Sequence, residues 1–136
     1  MDLPADRKAL LFSAGGVRLA LRLSHLREIV PAPAEGGEIV ARGDRLYHGE
    51  EGGASCAGCH GSDGAGTPLG PALTAHDWLW SDGSYRGIQN TIHDGVANPK
   101  QFRSAMPAMG GAALTADQLS ALAAYVWAIS HRPVTR

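Results

Sequence analysis

Residues 55–61 read Ser-Cys-Ala-Gly-Cys-His-Gly, and Cys56 and Cys59 are the two cysteines of a 136-residue chain. Side chains three positions apart on a helical turn share a face, so both sulfurs can act on one object, with the His60 imidazole directly behind them. Four chemistries use such a pair. A redox dithiol wants it at the start of a helix that follows a strand in a βαβ unit, and no such alternation surrounds it. Zinc needs four ligands, and the remaining histidines, His25, His48, His76, His93 and His131, show no H-x-x-x-H pairing to complete the set. A disulfide across two intervening residues closes too short a loop to stabilise much. The fourth is C-x-x-C-H, the signature of covalent haem attachment. There one turn brings two sulfurs to the two vinyl groups of the porphyrin, and the adjacent imidazole becomes a fixed axial ligand. Gly58 and Gly61 leave the backbone bare where the ring must lie against it.

A haem held in this way calls for a second axial ligand downstream, and MPAMGG, Met106 to Gly111, contains two thioethers. At this point residues 38 to about 131 resemble a class I cytochrome c. The marks are a helix with Gly43 and Tyr47, then CAGCHG, GPAL at Gly70 to Leu73, MPAMGG, and the closing LSALAAYV. Within that family the chain is similar to the haem domains in cytochrome subunits of the cbb-type oxidases, by GPALTAHDWLW, TIHDG and MPAMGG. The resemblance implies a mostly α fold of three to four helices around one covalent haem c. It implies iron held by His60 and Met106, with Met106 preferred to Met109, and Pro71 beside the imidazole with a neighbouring backbone carbonyl accepting its N–H. Trp78 and Trp80 would line the haem or meet a propionate, or else serve as ordinary core aromatics.

With both axial positions filled, the expected activity is outer-sphere electron transfer at a positive potential rather than enzymatic catalysis. The alternative is a haem-based ligand sensor or weak peroxidase in which the Met106 bond opens. Redox partner proteins would approach the haem edge over Met106, Pro107, Ala108 and Met109 with Ala57 and Gly58, in the small contacts usual for such encounters.

Several elements must position these groups. In EIVARGDRLYH, residues 38–48, Ile39, Val40, Gly43, Leu46 and Tyr47 fall near one helix face, with Arg42, Asp44 and Arg45 opposite. Gly43 costs roughly 1 kcal/mol against alanine inside a helix, which suits a close crossing by another helix. The partner is LTADQLSALAAYVWAIS, where Thr115 and Gln118 form a capping-box pattern and Leu119, Leu122, Ala123, Val126 and Ile129 recur at helical spacing. A third helix spans SYRGIQNTIHD, started by Ser84 and stopped at Gly95. His48, His76 and His93 read as solvated or loop residues.

The first 36 residues stand apart. KALLFS and the alternating VRLALRLS flank AGG as a β-hairpin, SHLREIV reads as a short helix, and PAPAEGG, Pro31 to Gly37, reads as a linker or sharp break. The expected organisation is an N-terminal extension, 1–36, and a haem domain, 37–136. KALLFSAGGVRLALRLSHLREIVP is weakly similar to the opening of a CheW-like coupling domain, which implies an interaction role. An isolated hairpin is marginal in water, so this one would cover the haem domain or drive homo-oligomerisation through its strand edges.

Composition bounds the rest. Twelve basic and thirteen acidic residues give a net charge of -1, which provides no field for nucleic acid. The apolar run from Ala9 to Val17 is too short to span a bilayer. Covalent haem attachment takes place outside the cytoplasmic membrane, so a periplasmic location is expected. Yet Asp2 and Asp6 occupy what would be the basic leader of an export signal. Aromatics are 6% of the chain while glycines number 18, a composition short of bulky core groups that a large cofactor would complement.

Overall fold

The computed structural model describes residues 9–14, 17–22, 29–31 and 33–132, with side chains described for 37–132. Four helices carry the haem-domain portion: α1 (Pro33–Tyr47), the single turn α2 (Ala57–His60), α3 (Tyr85–Asp94) and α4 (Ala116–Ser130). A short 3-10 turn, Ala108–Gly111, precedes α4. The arrangement is mostly helical with little strand, as a cytochrome c fold requires.

Helices α1 and α4 cross where Gly43 has no side chain. A Cβ there would fall against the Ala121 carbonyl oxygen and 2.6 Å from Tyr125 Cβ, so only glycine admits this crossing. Leu46 and Tyr47 of α1 are thereby buried against Leu122, Val126 and Ile129 of α4, with the Tyr47 and Tyr125 rings 5.1 Å apart. Ile88 and Ile92 bring α3 onto the same core. Burying each such side chain contributes about 1.5–3 kcal/mol, and together these contacts hold three distant segments in one body.

The helix ends follow their local chemistry. Ser84 Oγ accepts the Gly87 N–H at 2.9 Å and starts α3, which stops before Gly95. At α4 the Gln118 N–H donates to Thr115 Oγ1 (3.2 Å) while Gln118 Oε1 accepts the Thr115 N–H (2.9 Å), a closed capping box.

Two local expectations are corrected. Residues Pro31 to Gly37 are no linker, because α1 begins at Pro33 and runs without a break across 36/37. Proline suits the first helical position, where its fixed φ is already helical and its missing N–H has no partner to lose. In the extension, β1 (Ala9–Ala14) pairs antiparallel with β2 (Val17–Arg22), and β3 (Ile29–Pro31) pairs with β2 so that Ile29 stands opposite Leu21. Ile29 and Val30, expected at the end of a short helix, are thus in a strand, as β-branched residues favour. The rest of that helix, residues 24–28, lies outside the described residues. No helix among the described residues is long and apolar enough to cross a membrane.

Candidate haem site

The turn that carries the cysteines is anchored at both ends. The Cys56 N–H donates to the Tyr47 carbonyl at the end of α1 (3.1 Å), and the Cys56 carbonyl accepts from Cys59 (3.2 Å) and His60 (3.0 Å). Tyr47 Oη donates to the Gly61 carbonyl at 2.5 Å, fixing the residue that leaves the turn. Cys56, Cys59 and His60 consequently face one cavity.

His60 is 9% exposed, and its Nδ1 lies 2.9 Å from the carbonyl oxygen of Pro71. A carbonyl only accepts, so Nδ1 carries a proton, and the neutral ring then has its lone pair on Nε2. The acceptor is Pro71's own carbonyl rather than that of a backbone neighbour.

Met106 comes from the opposite end of the chain and is held through its backbone. Its N–H donates to Val96 O (2.9 Å) and its carbonyl accepts the Val96 N–H (2.8 Å), a two-residue antiparallel bridge. Its side chain lines the same cavity as His60. Met109 does not line it, sitting instead in the 3-10 turn at φ 56°, packed on the helical core.

The cavity has an empty volume of about 1210 Å³ including its open mouth. Its walls are chiefly apolar, with Leu73, Ile88, Ile92, Leu122 and Val126 among them. Both tryptophans are on it. Trp78 is half-buried in the wall, with its indole packed over Gly83. Trp80 forms the rim, 47% exposed, with Lys100 Nζ 4.5 Å above its ring and donating to the Leu79 carbonyl at 2.9 Å.

This environment bears on the chemistries open to the cysteines. Burial, with a smaller contribution from Cys59, pushes the Cys56 thiol up to about 11. A redox dithiol needs the reverse, a thiol lowered towards neutrality. Among the described residues no three His, Cys, Asp or Glu side chains gather as a metal site, which disfavours zinc. An apolar slot with one imidazole lone pair, one thioether and two thiols fits a porphyrin, whose faces are apolar and whose iron takes one nitrogen and one sulfur.

The other described histidines lie outside the cavity. His76 and His93 are exposed, the latter with Nδ1 2.8 Å from Asp94 Oδ1. His48 departs from its expected solvated state: Nδ1 is 2.9 Å from the Asp44 carbonyl and Nε2 is 2.8 Å from the Ser62 carbonyl. A doubly protonated ring donates to both carbonyls, and the Asp44 carbonyl also accepts the His48 backbone N–H at 3.1 Å. Its pKa is raised, first by the Asp44 carbonyl and then by the Ser62 carbonyl and the Asp44 carboxylate, against a lowering by burial. Tyr47, His48 and Thr67 support the cysteine turn through backbone carbonyls. Sequence reading misses such roles because carbonyls leave no side-chain signature.

Comparison with known proteins agrees with this geometry. The family described as cytochrome c oxidase, cbb3-type, subunit III matches residues 39–126. The cbb3-type cytochrome c oxidase subunit FixP of Rhizobium etli is 39% identical over 82 residues, covering 58% of this chain and 28% of that protein. FixP of Bradyrhizobium diazoefficiens is 32% identical over 125 residues, 90% of this chain and 41% of that protein. Subunit CcoP of Rubrivivax gelatinosus is 35% identical over 103 residues, 75% of this chain and 30% of that protein. The chain therefore spans less than half the length of these relatives. A match over 90% of the chain also reaches into the first 36 residues, which the CheW-like resemblance had set apart. No solved structure matches significantly.

Proposed function

This chain belongs to the cytochrome c oxidase, cbb3-type, subunit III family, and on that premise we propose that residues 37–136 carry electrons on one covalently attached haem c. The observation that supports this most directly is the convergence of Cys56, Cys59, His60 and Met106 on one apolar cavity from segments far apart in sequence. A bound haem would supply a one-electron couple. Two cysteines allow one doubly attached group, hence one haem in this chain.

Each residue has a defined task. Cys56 and Cys59 would hold the porphyrin edge through thioethers. His60 presents Nε2 because Pro71 holds the Nδ1 proton, and Met106 presents its sulfur from the strand bridge with Val96. Leu122, Val126, Ile88 and Ile92 line the cavity with apolar surface that would exclude water from a bound haem and, with a thioether ligand, raise its potential. A bound haem iron would be held by His60 nitrogen and Met106 sulfur, a ligand pair that suits one-electron transfer. Redox partner proteins would meet it at the exposed Gly58, Pro107 and Ala108. Because haem attachment of this kind takes place outside the cytoplasmic membrane, we place the domain on the periplasmic side. For residues 1–36 we propose self-association through an outer strand of the β1-β2-β3 sheet, tested by light scattering after deletion of residues 2–36.

The deciding experiment is intact mass under denaturing conditions together with an optical spectrum, on protein made in cells able to attach haem. A mass increment of one haem and a low-spin His/Met spectrum are expected. A colourless product with two free thiols would overturn the proposal.

A further inference from the structure

Thr67 is not part of the cavity wall, yet it is tied to the cysteine turn more closely than any other residue of the loop between Gly61 and Pro71. Its hydroxyl donates to the Cys59 carbonyl at 2.6 Å and accepts the Leu69 N–H at 3.0 Å. Its backbone exchanges two hydrogen bonds with Gly70, Thr67 N–H to Gly70 O at 3.0 Å and Gly70 N–H to Thr67 O at 3.3 Å. The Cys59 carbonyl ends a one-turn helix and has no acceptor role left within it, so the hydroxyl satisfies an orphan of the turn itself.

The consequence lies one residue further on. Gly70 rests directly on the Cys59–His60 peptide: a Cβ there would be 2.9 Å from Cys59 O and 3.3 Å from His60 Cε1. Pro71 follows immediately, and its carbonyl takes the Nδ1 proton of His60 at 2.9 Å. The Thr67 hydroxyl is the side-chain bond that clamps this loop to the residue preceding the imidazole.

We propose that Thr67 is a positioning residue for the proximal imidazole, setting the His60–Pro71 hydrogen bond and through it the electron donation of Nε2. This rests on the reading of His60 as an iron ligand. A well-held Nδ1–H···O=C bond makes the imidazole more basic and favours ferric iron. Freeing the loop weakens that bond, and the midpoint potential rises. A loss of packing alone would admit water and lower the potential, so the sign separates the two roles.

The test uses haem-loaded protein carrying Thr67→Val, with Thr67→Ser as the conservative control and Thr67→Ala as a smaller second variant. Midpoint potential is read by redox titration, and exchange of the His60 Nδ1 proton by NMR of the ferrous form. Thr67→Val is expected to shift the potential upward and to speed exchange by about fivefold, the loosening that one lost hydrogen bond allows. Thr67→Ser is expected to restore both. An unchanged or lowered potential in Thr67→Val, or no rescue by serine, overturns the proposal, as does failure of both the valine and alanine variants to fold around haem. A wild-type chain without haem would count against the haem reading itself. A haem-loaded wild type with an indifferent Thr67→Val counts against Thr67 alone.

Discussion

Met106 and Val96 exchange both of their backbone hydrogen bonds, at 2.8 and 2.9 Å, and so join the loop after α3 to the loop before α4. The Met106 side chain is free of this bridge and lines the cavity. Met106→Ala should therefore leave the bridge and the helices in place while removing the proposed sulfur ligand. Far-ultraviolet circular dichroism is expected to stay unchanged and the His/Met optical spectrum to disappear. A preserved spectrum would move the ligand elsewhere.

The two cysteines should differ from every other cavity residue in one respect, retention of haem after unfolding. The double variant Cys56→Ala, Cys59→Ala is expected to release all haem in denaturant, whereas Met106→Ala keeps it. Intact mass spectrometry of the unfolded chains reads the difference directly.

Gly43→Ala places a methyl group against the Ala121 carbonyl and Tyr125 Cβ. Backbone on one side cannot yield as a flexible side chain would. A loss of about 2–3 kcal/mol is expected, the cost of overpacking. At about 4–8 °C per kcal/mol for a domain of this size, thermal melting should fall by more than 8 °C. A melting temperature within 2 °C of wild type would show that α1 and α4 can separate at no cost.

His48 gives the fold a dependence on pH. When protonated it donates to the Asp44 and Ser62 carbonyls at once, with the Asp44 carboxylate 3.0 Å from Nδ1 and the Tyr47 and Tyr125 rings beside it. Its folded pKa is raised above the ordinary histidine value. The stabilisation is thus complete below about pH 6.5, the unfolded pKa, and is lost as pH rises through the higher folded pKa. Past that point the neutral ring keeps one donor and loses one of its two bonds to carbonyls, while the Asp44 carbonyl retains the His48 backbone N–H. Denaturant midpoints across this range are expected to fall for wild type, while His48→Gln, which has no charge to lose, shows a flatter profile. Equal slopes would place the titration elsewhere.

Much of the local geometry was legible without coordinates. Cys56, Cys59 and His60 lie within one helical turn, so their spacing alone set their mutual reach. The ends of α3 and α4 were equally local, because Ser84, Thr115 and Gln118 bond to atoms three residues away. Gly43 announced a close crossing through its cost in a helix. The start of α1 was misread because a proline near glycines signals a break as readily as a first helical position.

Sequence by itself determined the C-x-x-C-H motif, the caps and the apolar stripes, since each depends on groups within about one turn of chain. Tertiary structure decided which methionine enters the cavity, because Val96 pairs with Met106 while the turn at Met109 carries that side chain away. It brought to His48 a second hydrogen-bond acceptor, a carbonyl fourteen residues on. It separated Trp78 in the wall from Trp80 at the rim, and it set the His60 tautomer by bringing up the Pro71 carbonyl. Backbone carbonyls make these last distinctions, and they are present at every residue; only folding selects which ones meet a side chain.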